Sequence, residues 1–233
     1  MSRLAGSVVG TELLDDPRAD RDAVRLSLRN IARANRYFGG WRAARTGLAR
    51  LLEHHRAATL TLLDVGTGAG DLLHRARRWS ARRGIALRMI GLDQHPAAAQ
   101  LAHESGIPAV IGCGSALPLP DRSVDIVMLS QVAHHLAPES LAIMAREVTR
   151  VSRVGVVLAD LRPSRLAGAA YRLTGPLLGF DHFTVVDGIT SLERGFTPAR
   201  LRRELGAAGV TPWLTTQLGV RIVAAWRADG TAA

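Results

Sequence analysis

From Thr59 onward, five short apolar runs (60–65, 86–92, 109–111, 124–129 and 154–159) are bounded by glycine or an acid, and helical segments separate most of them. Runs this short and this apolar suit strands buried on both faces, and strands alternating with helices imply a parallel sheet covered on either side. The fold class expected is therefore α/β with a Rossmann-like, mostly parallel sheet. Two amphipathic helical patterns precede it. In the first, Val24, Leu28, Ile31 and Ala34 recur at helical spacing and stop at Tyr37-Phe38-Gly39-Gly40; the second runs from Trp41 through Leu48 to Leu51-Leu52. Having no strands of their own, these segments are expected to form an N-terminal helical cap over residues 1–57, with 58–233 as the main domain. After the fifth run the rhythm changes again. A helical stretch over 166–178 leads into a polar loop, and the next helix starts with Thr197 as N-cap and Pro198 in its first turn. Two last strands, near 213–217 and 220–226, meet at a Leu218-Gly219 turn and close the chain as an antiparallel hairpin.

Composition then excludes several classes. A chain of 233 residues, 47% hydrophobic, with its 23 Gly and 10 Pro spread along the length, is neither collagen-like nor mostly disordered, and it suits one core. No run approaches the roughly 20 apolar residues that span a bilayer. The opening at 3–10 is too short for a signal-peptide core and runs straight into Glu12-Leu13-Leu14-Asp15-Asp16, so a cytoplasmic protein is expected. The single cysteine, Cys113, supports neither an internal disulfide nor a cysteine-based zinc site. A net charge of +10 ordinarily raises nucleic acid or anionic membrane as partners. Here every basic residue is arginine in a chain crowded with Ala, Gly and Leu, which is the pattern of GC-rich codon usage. The densest cluster, Arg75, Arg77 and Arg78 with Arg82-Arg83, reads as the solvated face of one helix, and no specific nucleic acid is expected.

The chemistry concentrates at Leu62-Leu63-Asp64-Val65-Gly66-Thr67-Gly68-Ala69-Gly70-Asp71. A buried strand ends at Val65 and a helix begins near Gly70, so the glycines fall where the backbone turns tightly and lets a ligand approach. The spacing departs from the G-x-G-x-x-G dinucleotide fingerprint, whose last glycine would fall on Asp71. A carboxylate there repels a pyrophosphate docked at the helix N-terminus, and Asp64 adds a second negative charge. A ligand carrying an ammonium and a sulfonium reverses that sign, and S-adenosylmethionine has this charge pattern. Asp93-Gln94 closes the next strand, where an acid accepts from ribose hydroxyls in this class of fold. The third element is Gly112-Cys113-Gly114-Ser115-Ala116-Leu117-Pro118, with Ser123-Val124-Asp125 at the start of the fourth strand. Three loops at successive strand ends define one crevice.

These pieces (64–70, Asp93, the Ala116-Leu117-Pro118 turn and 130–136) resemble the class I S-adenosylmethionine-dependent methyltransferases, in particular the type 11 group similar to enzymes of ubiquinone and menaquinone biosynthesis. The resemblance is firm over about residues 60–160. It implies a seven-stranded sheet with an antiparallel final strand, S-adenosylmethionine as cofactor, and methyl transfer to some acceptor. Cofactor contacts are expected from Asp64, Gly66, Thr67, Gly68, Gly70, Asp71, Asp93, Gln94, Ser115, Ala116, Ser130 and Gln131. One departure stands out. Many relatives place an aspartate, thought to accept from the adenine amino group, where this chain has Cys113. A thiol is a poor acceptor, so adenine recognition falls to backbone groups near Ser115-Ala116, and Cys113 reads as a small buried apolar residue.

Methyl transfer needs positioning in a dry cavity more than a covalent residue, but a hydroxyl acceptor benefits from a base. His134 and His135, just past the fourth strand, are the candidates, with cavity wall as their bland alternative. Tyr37, Asp160, Arg162, His182, Asp187 and Arg194 are the expected substrate-side residues, the last four within an insertion over about 162–196. The apolar 166–180 segment is expected to pack into the domain, with a lipid-like acceptor or membrane contact as the alternative. The preferred function is O-methylation of a phenolic, quinone-like or polyketide acceptor in secondary metabolism. An RNA-modifying methyltransferase and a cofactor-binding protein without turnover are the alternatives; a nicotinamide oxidoreductase is disfavoured by Asp71. No metal is expected, and a homodimer is kept among the partners.

Overall fold

The computed structural model describes residues 13–233 except Pro17 and Gly219, so the opening at 3–10, Glu12 and the glycine of the expected final turn lie outside the described residues. Seven strands, β1 Thr59–Val65, β2 Ala86–Asp93, β3 Ala109–Ile111, β4 Val124–Ser130, β5 Ser152–Leu161, β6 Trp213–Gln217 and β7 Arg221–Arg227, form one sheet in the order β3-β2-β1-β4-β5-β7-β6. β1 to β5 pair in parallel, and β7 runs antiparallel to both β5 and β6. Among the described residues eight α-helices, α1 Arg21–Tyr37, α2 Gly40–Leu51, α3 Asp71–Ala81, α4 Pro96–Glu104, α5 Pro138–Val151, α6 Arg165–Leu177, α7 His182–Arg194 and α8 Pro198–Gly206, surround it.

Side chains alternate across the sheet with the strand period, and both faces are apolar because both are covered. Leu62, Ile126, Met128, Val157 and Val223 meet Ala43, Ala44 and Leu48 of α2 and Leu73 and Ala76 of α3. On the opposite face Leu63, Val65, Val127, Leu129, Val156 and Leu158 meet Leu141, Met144 and Val148 of α5 and Leu201 and Leu205 of α8. Helix α2 is thus one layer of the domain. A Cβ on its Gly47 would stand 2.3 Å from Val157 Cγ1, so helix and sheet touch through a missing side chain. A helix without strands of its own here buries its apolar stripe on the neighbouring sheet. Helix α1 instead packs Val24 and Leu28 against Ala98 and Leu101 of α4.

The expected polar loop after residue 178 is helix α7. Asp181 caps it, accepting from Thr184 N at 2.9 Å. Its buried side includes Thr184, Ser191 and Arg194 as well as Val185 and Leu192, and that mixture masks the helical period in the sequence. The expectation that 166–180 packs into the domain also fails in large part. Helix α6 turns Gly175 and Tyr171 inward and leaves Leu166, Leu173 and Leu177 74–83% exposed.

Candidate active site

The chain leaves β1 toward α3 on one face of the sheet and β4 toward α5 on the other, so a crevice opens between the carboxyl ends of these neighbouring strands. The loop after β1 borders it. Gly66, Gly68 and Gly70 take φ of +75°, +54° and +80°, which side chains disfavour. Gly66 N and Thr67 N donate to Leu92 O at 2.8 and 3.1 Å, and Gly68 N donates to Asp93 Oδ2 at 2.9 Å. Asp93 also accepts from His95 N at 2.9 Å. Thr67 is buried against Gly91, where a Cβ would lie 2.8 Å from its Cγ2, while Gln94 is exposed. At the end of β3, Gly112 N donates to Asp93 O at 3.0 Å and Ala116 N to Cys113 O at 3.1 Å, a tight turn with Cys113 half-buried and Ala116 exposed.

Three carboxyls gather at this crevice, and each is held above its ordinary carboxylate value. Burial is the main cause for Asp64, which is 2% exposed, and the charge of Asp71 pushes it further. Burial likewise raises Asp71 and Asp93 against the hydrogen bonds that lower them. Asp64 Oδ1, Ser115 Oγ and Ser130 Oγ are buried without a hydrogen-bond partner. Acids penalised by their own burial and buried oxygens left unsatisfied fit a cationic, hydroxyl-bearing ligand and oppose a diphosphate.

Helix α1 supplies a residue that sequence reasoning missed. Asn35, buried at its C-terminal end, donates from Nδ2 to Asp71 Oδ2 at 3.4 Å and accepts at Oδ1 from Gln131 Nε2 at 2.7 Å. Gln131, at the switch point after β4, has φ of +58°. Asn30 on the same helix donates to Asp181 Oδ2 and Thr184 Oγ1, both at 3.0 Å, and so ties α1 to α7. The signal was two asparagines in the amphipathic pattern of a helix that also buries Val24, Ser27 and Leu28.

The residues expected on the acceptor side do not all meet. His134, His135, Asp160 and Arg194 come together. His134 is 6% exposed and Asp160 0%, and His134 Nδ1 lies 2.6 Å from Asp160 Oδ1. Asp160 also accepts from His134 N at 3.2 Å and from Leu161 N at 2.7 Å. A carboxylate only accepts, so Nδ1 is the donor in this contact. Nε2 is buried and has no hydrogen-bond partner. Burial opposes ionisation of Asp160, but the charge and hydrogen bond of His134 outweigh it and hold this carboxyl below its ordinary value. Behind it Arg221 is buried at the start of β7; burial pulls its guanidinium down to about 10, opposed by Asp160. The His134 and His135 rings stack with centroids 4.2 Å apart, and His135 Nδ1 lies 3.4 Å from Arg194 Nη1. Arg162 is half-buried just past β5, and Asp187 accepts from Leu13 N at 3.4 Å. The remaining two stand apart. Tyr37 is 57% exposed, and His182 lines an outer groove with Arg172, Pro176, Phe180, Val185 and Val186.

The sheet order and its switch-point crevice are the fold of the class I S-adenosylmethionine-dependent methyltransferases. More narrowly, residues 63–159, about two-fifths of the chain, match the family described as "Methyltransferase domain", a span that holds the glycine loop, Asp93 and His134. An uncharacterized methyltransferase of Mycolicibacterium vanbaalenii is 39% identical over 102 residues, covering 42% of this chain and 37% of that protein. A demethylmenaquinone methyltransferase of Roseiflexus castenholzii is 33% identical over 157 residues, covering 66% of this chain and 58% of that one. The chain therefore spans between about a third and three-fifths of the length of these relatives. Among solved structures, a SAM-dependent methyltransferase from Aquifex aeolicus shares the fold, with a TM-score of 0.62 at 17% identity over 89% of this chain and 98% of that one.

Proposed function

We propose that the chain transfers a methyl group to an oxygen of a small-molecule acceptor, a phenolic, quinone-like or polyketide compound of secondary metabolism. One observation carries this reading: the buried His134–Asp160 pair, which holds an imidazole by its Nδ1 just past β4, a strand that borders the switch-point crevice. The demethylmenaquinone methyltransferase among the relatives supports the quinone-like member of that class.

Bound S-adenosylmethionine supplies an electrophilic methyl group on a sulfonium. Asp64 and Asp71 would hold its cationic end, Asp93 would accept from its ribose hydroxyls, and the backbone of the 66–70 loop and of Ser115-Ala116 would line its path. His134 Nε2 would hold the proton that the acceptor hydroxyl gives up. Asp160 keeps Nδ1 protonated and stabilises the imidazolium that results. Arg194 and Arg162 orient the acceptor, and His135 forms its wall. Phenols need only modest help from such a base near neutral pH.

The test is expression in a heterologous host, followed by mass spectrometry of the extract. A small molecule heavier by one methylene, present with the wild-type chain and lost in the Asp64→Asn variant, is the expected result. Transfer of labelled methyl to RNA, with no modified small molecule, would replace this reading by the RNA-modifying one.

A further inference from the structure

We propose that the outward face of α6 and α7 docks on the surface of an anionic lipid bilayer. The face is defined by large apolar side chains that the fold leaves in water. Leu166, Leu173 and Leu177 are 82%, 74% and 83% exposed, and spacings of seven and four residues put them in one line along α6. Phe183, at 74%, and Val186, at 44%, continue the face on α7. The groove between the two helices is lined by Pro176, Phe180, Val185 and Ile189 together with Arg172 and His182. Isolated exposed leucines need no explanation, but a contiguous set on two adjacent helices marks a surface that is covered in use.

Charge selects the cover. Arg165 and Arg172, both exposed, flank the leucine line on one side of α6, and α6 contains no acid. Arg33 of α1 hydrogen-bonds the Leu178 carbonyl and lies 5.4 Å over the Phe180 ring, adding a cation at the end of α6. The nearby acids of α7 turn away: Asp181 accepts from Thr184 and Asn30, and Asp187 from Leu13 N. Glu193, near the far end of α7, is the exposed acid on that helix. Apolar side chains edged by arginine match the boundary between acyl chains and anionic headgroups, where arginine stems lie along the apolar surface and guanidiniums reach phosphate. A second copy of a chain with net charge +10 would bring the same arginines face to face. Among the described residues no helix is long and apolar enough to cross a membrane, so the contact is peripheral.

The docking stands apart from methyl transfer, because vesicle binding is read without turnover. The full chain is sedimented with vesicles of phosphatidylcholine alone and of phosphatidylcholine containing phosphatidylglycerol. Several-fold preference for the anionic vesicles is expected. The Leu173→Glu, Leu177→Glu double variant should lose most of that binding, and each of Arg165→Gln and Arg172→Gln should weaken it about fivefold. An unchanged circular dichroism spectrum and unchanged S-adenosylmethionine calorimetry report intact folding in each variant. Three results would overturn the proposal: no sedimentation of the wild type with anionic vesicles, equal binding by the leucine variant, or a wild-type dimer that the leucine substitutions dissociate.

Discussion

At the scale of single residues, the acids of the crevice and the acid beneath His134 behave in opposite ways. Asp64, Asp71 and Asp93 have raised values in the folded chain, so the folded state keeps protons that the unfolded state has released. Stability therefore falls as pH rises from the ordinary carboxylate range through the raised values, by at most about 1.4 kcal/mol per unit for each group. A cationic ligand ionises them, so binding should release protons and tighten over that same window; calorimetry in two buffers of different ionisation enthalpy measures the release. Asp64→Asn should accordingly weaken S-adenosylmethionine about tenfold or more while raising the melting temperature of the free protein, since it removes a buried acid whose Oδ1 has no partner. Asp160 contributes with the other sign: its stabilisation is present above the ordinary carboxylate value and is lost as pH falls through the lowered one. On the proposed mechanism, His134→Gln and Asp160→Asn each lower kcat by about 10²-fold or more with KM little changed, and His135→Gln does far less. Steady-state kinetics on the identified acceptor checks this. Residue types and spacing were enough to single out Asp64, Asp71 and both histidines. They did not show that Asp160 lies beneath His134, because that contact joins residues 26 apart in sequence and depends on β5 lying beside β4.

At the scale of elements, the strands of the parallel half were legible because doubly buried strands are short continuous apolar runs. Helix α7 was not, since its buried side carries Thr184, Ser191 and Arg194. The antiparallel closure rests on a glycine. At Gly155 a Cβ would stand 2.2 Å from Trp226 O across the β5–β7 pair, so Gly155→Ala must push the strands apart. A loss of about 1–3 kcal/mol is expected, the range of overpacked cores, measurable by urea unfolding. Helix α1 is held over the crevice by polar contacts at Asn30 and Asn35 as well as by Val24 and Leu28. Asn35→Ala leaves the Gln131 amide without its acceptor and should cost about 1–2 kcal/mol. Hydrogen exchange should show the loss as faster opening of α1, with the strands unaffected.

At the scale of the whole molecule, a ligand bound at the switch point joins loops from β1, β2 and β4 with α1, so it should stabilise the domain as a unit. At a hundredfold excess over Kd the gain is about 2.7 kcal/mol, or roughly 5–10 °C in Tm for a chain of this size. S-adenosylmethionine should produce that shift and NAD none; scanning fluorimetry with both separates a cationic from a diphosphate ligand. The sequence by itself determined the parallel α/β sheet and the acidic glycine loop, because period, glycine placement and charge sign are local properties that survive without a partner. Only the tertiary structure decided that α2 is a layer of the core, that Asn35 bridges Asp71 and Gln131, and that the leucines of α6 face outward. Which side of a helix is buried depends on what the rest of the chain has already covered, and an apolar residue reads the same in sequence whether it lies against a sheet or faces water.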